Sequence, residues 1–243
     1  MILQGVAMPT VESNRNWSKD LDQFTRFRDK KIHYGDQWGD TEVTGLRYWI
    51  QRIGLRRTGR FSVGRVIPGN LSHVVKNYIE PYVTPQSVVM EIGPGGGRWT
   101  RYLLAAKEII LVELNPEFFT YLQERFKENL SKFRFYNTSG CELDGIDTDS
   151  VDFIFTFGTF VHIDPDDIHS YLGHIKRVLK PNAIAVIHYS DMTKKRAQKM
   201  QGGFSDMDPS KMEAFSFQYG FRFIDHNTRL LNHSSIAVIQ KSQ

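Results

Sequence analysis

The chain has 243 residues, 40% hydrophobic and 13% aromatic, which is enough apolar material for one α/β domain with a modest N-terminal extension and excludes general disorder. Its net charge of +4 is mildly basic and is compatible with nucleic acid, an acidic small molecule or no specific partner. No apolar run approaches the ~20 residues needed to span a bilayer, the stretch from Met1 to Thr10 does not read as a signal peptide, and the single Cys141 has no internal disulfide partner, so a reducing, cytoplasmic location is expected.

Asn16 to Lys31 is polar, with Trp17, Leu21, Phe24 and Phe27 recurring at helical spacing, which predicts a short helix. A Gly/Asp-rich loop around Trp38 follows. Val43 to Ile79 holds no carboxylate but carries Arg47, Arg52, Arg56, Arg57, Arg60, Arg65 and Lys76, interleaved with Tyr48, Trp49 and Phe61. Such a segment is either a solvated face or a rim that attracts an anionic substrate.

From Leu71 the character changes. A helix is expected over Leu71–Tyr82, a strand over Ser87–Ile92, a helix over Arg98–Ala106, a strand over Ile109–Leu114 and a helix over Pro116–Asn129. Strands at Phe133–Asn137 and Val151–Phe157 follow, then a helix at Asp164–Leu179 and a strand at Ala183–Tyr189. This alternation, with strands of the fully buried kind, predicts a parallel sheet covered on both faces. Lys194–Gly203 reads as a polar loop and Pro209–Tyr219 as a helix. Phe221–Thr228 and Ser234–Gln240 read as an antiparallel pair at the sheet edge. The expected architecture is therefore a doubly wound, Rossmann-like α/β fold with seven strands, mostly parallel with an antiparallel terminal strand, over residues 71–243, preceded by a helical cap over residues 1–70.

The strongest chemical signal is Val88-Val89-Met90-Glu91-Ile92-Gly93-Pro94-Gly95-Gly96-Gly97-Arg98. A buried strand runs into a glycine turn, and in a doubly wound sheet such a turn lies at the carboxyl end of the strand, where ligands bind. Glycines let the backbone bend sharply and approach a ligand. Glu91 can accept from a cationic amino group. Glu113 ends the next strand, twenty positions after Gly93, and can accept both hydroxyls of a ribose. A dinucleotide site would want a third glycine where Arg98 stands, and a carboxylate beside the turn suits an amine better than a pyrophosphate.

The E-x-G-x-G-x-G turn, the strand-end Glu113 and Val178-Leu179-Lys180-Pro181-Asn182 before the fifth strand together resemble the class I S-adenosylmethionine (SAM)-dependent methyltransferases. The resemblance runs from about Val74 to Gln240. It implies SAM as cofactor, with Glu91, Gly93, Gly95 and Gly97, and Pro94 in the same turn, around the methionine part. Glu113 would hold the ribose and Leu114 would pack on the adenine. The stretch Ser139-Gly140-Cys141 would complete the adenine side, with Gly140 where an acid is common and Glu142 nearby. Phe157 and Gly158 would lie beside the transferred methyl. Gly95 to Thr100, Thr159 to Ile163, Val186 to Ser190 and Trp38-Gly39-Asp40 further resemble a bacterial subgroup acting on glycans or other small molecules.

Within such an enzyme an alcohol acceptor needs a base. His162 is the first candidate, since histidine titrates near neutral pH. Asp164 and His188 are the others, although Asp164 before Pro165 also reads as a helix N-cap. His162, Asp164, His188 and Asp191 are residue types that suit a divalent ion, but their spacing matches no recognised site. The expected activity is O-methylation of a small-molecule or glycan acceptor, anionic if the arginine-rich stretch takes part. The alternatives are N-methylation, RNA methylation and SAM binding without turnover.

Overall fold

The computed structural model describes residues 73–200 and 203–242, together with Asn14 and the backbone of 26–27 and 30–31. Seven strands form one sheet: β1 (Val88–Ile92), β2 (Glu108–Glu113), β3 (Phe133–Asn137), β4 (Val151–Thr156), β5 (Leu179–Ser190), β6 (Phe221–Asn227) and β7 (Ser234–Lys241). Their spatial order is β3-β2-β1-β4-β5-β7-β6. The first five are mutually parallel, while β7 runs antiparallel to both β5 and β6. The order reverses at β1 and β4, which places a crevice beyond their carboxyl ends.

Period-two alternation divides the sheet's side chains between two cores. Met90, Ile92, Ile110, Val112 and Ile154 face one, where α2 (Pro165–Val178) packs. Val89, Ile109, Leu111, Phe153 and Phe155 face the other, with Trp99 and Leu103. Glu91 shares the parity of Val89 and so points toward Trp99 and Thr100, buried at 1% exposure. Helix α2 begins where Asp164 accepts from the Asp166 N–H at 3.0 Å and Pro165 takes the first turn. It buries Ile168, Tyr171, Leu172, Ile175 and Val178, a stripe at 3–4 residue spacing. Full burial of each such side chain is worth about 1.5–3 kcal/mol, and that packing rather than intrinsic propensity holds a helix of 14 residues.

Within residues 73–242 the other α-helices among the described residues are α1 (Glu117–Arg125), α3 (Lys195–Gln198) and α4 (Pro209–Gln218). The helix expected at Arg98–Ala106 is instead a run of turns with one 3-10 segment at Thr100–Tyr102, its N–H groups bonding three residues back. Two anchors explain this. Thr100 is pulled onto Glu91, and Trp99 wedges between Phe155 and Phe157, with centroids 5.7 and 4.6 Å away. The segment expected helical from Leu71 contains a π-helical stretch at Val75–Ile79. Strand β5 starts at Leu179, earlier than expected. The Lys180-Pro181-Asn182 turn survives inside it as a bulge: Val151 pairs with Leu179 but Phe153 with Ile184, and Asn182 takes φ +63.

The helix expected over Asn16–Lys31 lies largely outside the described residues. Within it, Arg26–Phe27 and Lys30–Lys31 pair as a short antiparallel ladder, so a helix does not run through these four residues; apolar spacing alone cannot separate helix from hairpin over so short a stretch. The loop around Trp38 and the arginine-rich segment up to residue 72 also lie outside the described residues. Among the described residues, no helix is long and apolar enough to cross a membrane.

Candidate active site

A cavity of about 550 Å³ opens at the carboxyl ends of β1, β2, β4 and β5, within the size range of cofactor sites. The glycine turn after β1 forms one wall. Gly93 takes φ +73, and a Cβ there would stand 2.0 Å from the Thr159 hydroxyl oxygen, so only glycine fits. Thr159 in turn donates toward the carbonyls of Ile92 and Gly93 at 3.2 and 3.3 Å, pinning the loop after β4 to the end of β1. Gly95 takes φ +50. Pro94, Gly95 and Gly96 line the cavity with Gly93, while Gly97 sits behind them against Phe126.

Glu113, at the end of β2, lines the cavity and is 6% exposed. Its carboxylate accepts from the N–H groups of Leu114 at 2.9 Å, Asn115 at 3.1 Å and Gly95 at 3.2 Å. Burial pushes its carboxyl up to about 7, against those three N–H groups, which favour the charged form. Glu91 does not line the cavity. It lies behind the turn, accepts from the Thr100 hydroxyl at 2.6 Å, and is pushed up to about 8, chiefly by burial.

Leu114, Asn115, Phe118, Thr138, Gly140 and Cys141 continue the wall. Ser139 and Glu142 are not among the residues facing the cavity. They bond each other, with the Ser139 hydroxyl donating to Glu142 at 2.8 Å. Burial raises the Glu142 carboxyl, but the Ser139 bonds outweigh it and hold the group below its ordinary value. Asp167, on the first turn of α2, reaches the cavity as a second acid, and its carboxyl is raised by burial and by Asp164 and Asp166.

Phe157 and Gly158 form the floor between β4 and β5. A Cβ on Gly158, at φ +89, would meet nothing within 4 Å. The His188 ring stacks on Phe157 at 3.9 Å and 13°. Its Nδ1 accepts the Gly158 N–H at 2.9 Å, so Nε2 carries the proton and donates to the Ser234 hydroxyl at 2.6 Å. Burial, then the neighbouring His233, holds this imidazole well below its ordinary value. His188 is thus a neutral brace under Gly158, with both nitrogens engaged. Asp164 is the α2 N-cap and stands outside the cavity lining. Asp191 is fully buried, accepting from Thr193 and Ser235 and pairing with Lys194 at 3.2 Å.

His162 lines the cavity. Its Nδ1 donates to the Gly203 carbonyl at 2.5 Å, which leaves the lone pair of the neutral ring on Nε2. Burial holds its proton affinity below the ordinary histidine value, against the Gly203 bond. Its own carbonyl accepts from the Asn14 side chain at 2.8 Å, and the Asn14 carbonyl accepts from Asn115 at 3.2 Å. One residue of the N-terminal segment therefore bridges the two sides of the cavity. Asn14, Arg196, Met200, Phe204 and His233 all enter the lining. Sequence reasoning missed them, because nothing local marks a residue that a distant segment brings to the site. Among the described residues, no group of three or more His, Cys, Asp or Glu side chains is arranged to hold a metal ion.

A family model described as a methyltransferase domain matches residues 89–182, the span from β1 to the start of β5. No curated protein sequence matches the chain. The fold is similar to a SAM-dependent methyltransferase from Aquifex aeolicus, 17% identical, over 70% of this chain and 88% of that one, at a TM-score of 0.52. It is also similar to an S-adenosylmethionine-dependent methyltransferase from Mesorhizobium loti, 10% identical, over 70% of this chain and 97% of that one, at a TM-score of 0.59. The matched residues are those that build the glycine turn, Glu113 and the floor at Phe157–Gly158. By sequence they match a methyltransferase domain, and the two solved structures share its fold.

Proposed function

We propose that this protein methylates a hydroxyl oxygen of a small molecule or glycan component, with His162 as general base. The observation that carries the reading is the Nδ1 bond from His162 to the Gly203 carbonyl, at the wall of the cavity. It sets the tautomer a base needs, and burial keeps the ring unprotonated near neutral pH. SAM, when bound, supplies a methyl on a sulfonium and leaves as a neutral thioether. The chain's task is to hold the cofactor, orient the acceptor and take one proton.

In this reading the cofactor roles are divided among the residues of the cavity and those just behind it. Gly93, Pro94 and Gly95 pass close to the amino-acid part, with Glu91 and Gly97 behind them. Glu113 takes the ribose hydroxyls and Leu114 packs on the adenine, with Gly140, Cys141 and the nearby Ser139 on its far side. Asp167 is placed to serve where the Gly140 position lacks an acid. Phe157 and Gly158 stand at the methyl. His188 positions Gly158, and Asp164 starts α2. Residues 1–70 act as a cap over the 71–243 domain, a division supported by the Asn14 bonds to His162 and Asn115. The subgroup likeness supports a small or glycan acceptor, and the lone Cys141 supports a reducing, cytoplasmic setting.

The test is formation of the demethylated cofactor in an acceptor screen, repeated with His162→Ala. Turnover should fall by about 10²–10⁴-fold, the usual worth of a general base, while SAM affinity holds. Wild-type turnover in the variant would remove His162 from the role.

A further inference from the structure

His162 stands at a break in the chain. It is the last residue of the 3-10 turn Phe160–His162, and Ile163 beyond it is extended, with φ −101 and ψ 138. Carbonyls at the end of such a turn have no partner inside it and take one from outside. For His162 that partner is the Asn14 side chain, which donates to the carbonyl at 2.8 Å. The residue's other holds come from the segments beside it. Its N–H donates to the Thr159 carbonyl at 2.9 Å, and its Nδ1 donates to the Gly203 carbonyl. The Val161 carbonyl accepts from the Ser205 N–H at 2.7 Å, and the Phe204 ring stands edge-on to the imidazole at 5.3 Å. Asn14 is itself anchored on the far side of the crevice, where its backbone carbonyl accepts from the Asn115 side chain at 3.2 Å. Asn115 follows β2, and its N–H donates to the Glu113 carboxylate at 3.1 Å. Because β2 and β4 are the two neighbours of β1, the loops beyond them stand on either side of the glycine turn, roughly 10 Å apart at two strand spacings. Asn14 lines the cavity together with both of its anchors. One residue thus ties the wall that carries Glu113 to the segment that carries His162.

We propose that Asn14 is a positioning residue for His162: tied to Asn115 on the cofactor wall, it fixes the backbone from which the imidazole reaches the Gly203 carbonyl, and so fixes the tautomer. A ring carried on an unheld backbone loses the alignment of its Nδ1 bond, and a reacting group displaced by about 1 Å loses on the order of 10²-fold in rate. The consequence for turnover rests on His162 being the base, as the proposed function has it; the consequence for the ring does not.

The experiment is nitrogen NMR of the full chain with isotope-labelled histidine, the His162 signals being assigned by their loss in His162→Gln. The wild type should show two widely separated ring nitrogens, Nδ1 protonated and Nε2 not. Asn14→Asp keeps the shape of the side chain but has no N–H to donate, and it should draw the two signals together as the tautomers mix. Asn115→Ala cuts only the far anchor. It should move the signals the same way to a lesser extent, and it reads the tie should Asn14→Asp fail to fold. The double variant should match Asn14→Asp, because the two bonds belong to one tie. Unchanged signals in Asn14→Asp overturn the proposal. A double variant whose change is the sum of the two single changes overturns the tie across the cavity. In the acceptor screen, Asn14→Asp should lower kcat by up to about 10²-fold with the KM for SAM unchanged, and a wild-type kcat overturns the positioning role in turnover. Wild-type turnover in His162→Ala would remove the base and leave the NMR result standing, so the two readings fail in different experiments.

Discussion

Glu91→Gln tests the electrostatics of the turn most directly. The carboxyl is 1% exposed and is carried from an ordinary 4.5 to about 8, mainly by burial. The folded chain keeps a proton that the unfolded chain has released. The stability this contributes is complete below pH 4.5 and is lost as pH rises through about 8. At about 1.4 kcal/mol per pH unit, the span sets an upper bound on the order of 5 kcal/mol. Glutamine has the same shape, can still accept from the Thr100 hydroxyl, and does not ionise. Denaturant unfolding of both proteins from pH 5 to 9 should show Glu91→Gln gaining on the wild type by about 2–5 kcal/mol across the range. A gap that stays constant with pH would refute burial as the dominant influence on this carboxyl. Weaker SAM binding by the same variant would support an amino-group contact for Glu91.

Glu113→Ala should weaken SAM binding by about 1.5–3 kcal/mol, the worth of hydrogen bonds to a charged group; unchanged affinity by calorimetry would exclude a ribose contact. Gly97→Ala places a Cβ 2.4 Å from the Phe126 ring and 2.8 Å from a Leu122 methyl, at φ +80. It should lower stability by about 1–3 kcal/mol, seen as a reduced Tm without cofactor, and a wild-type Tm would mean that α1 yields freely.

The sheet was legible because its central strands are buried on both faces and its strands are bounded by turn residues. Phe133–Asn137 is found with the bounds its pattern implies, β1 and β4 differ from expectation by one residue at one end, and β2 is shifted by one residue at both ends. The glycine turn, Glu113, Leu114, Phe157 and Gly158 were legible for the same reason: each sits at or just beyond a strand end, where the fold alone puts it at the crevice. Asp164 was ambiguous between acid and cap, and local hydrogen bonding resolves it as a cap. Arg98–Ala106 misled because helical spacing there competes with two tertiary anchors, at Thr100 and Trp99. The roles of His162 and His188 differ only in what their ring nitrogens meet. Gly203, Gly158 and Ser234 supply those partners from 41, 30 and 46 residues away, beyond the reach of any local pattern. Arg196, Phe204 and His233 were hidden in the same way.

The placement of β7 bears on how the chain is made. β6 leaves the ribosome before β7, yet its only ladder in the sheet is with β7, which lies between it and β5. Until β7 emerges, β6 has no neighbour to pair with and β5 shows an open edge. Closure of this half of the sheet must therefore wait on the last of its seven strands in chain order, whereas β1 to β5 can assemble as they appear. In that interval the unpaired edge, with Val186 and Ile187 on β5, is a surface on which another nascent chain could add.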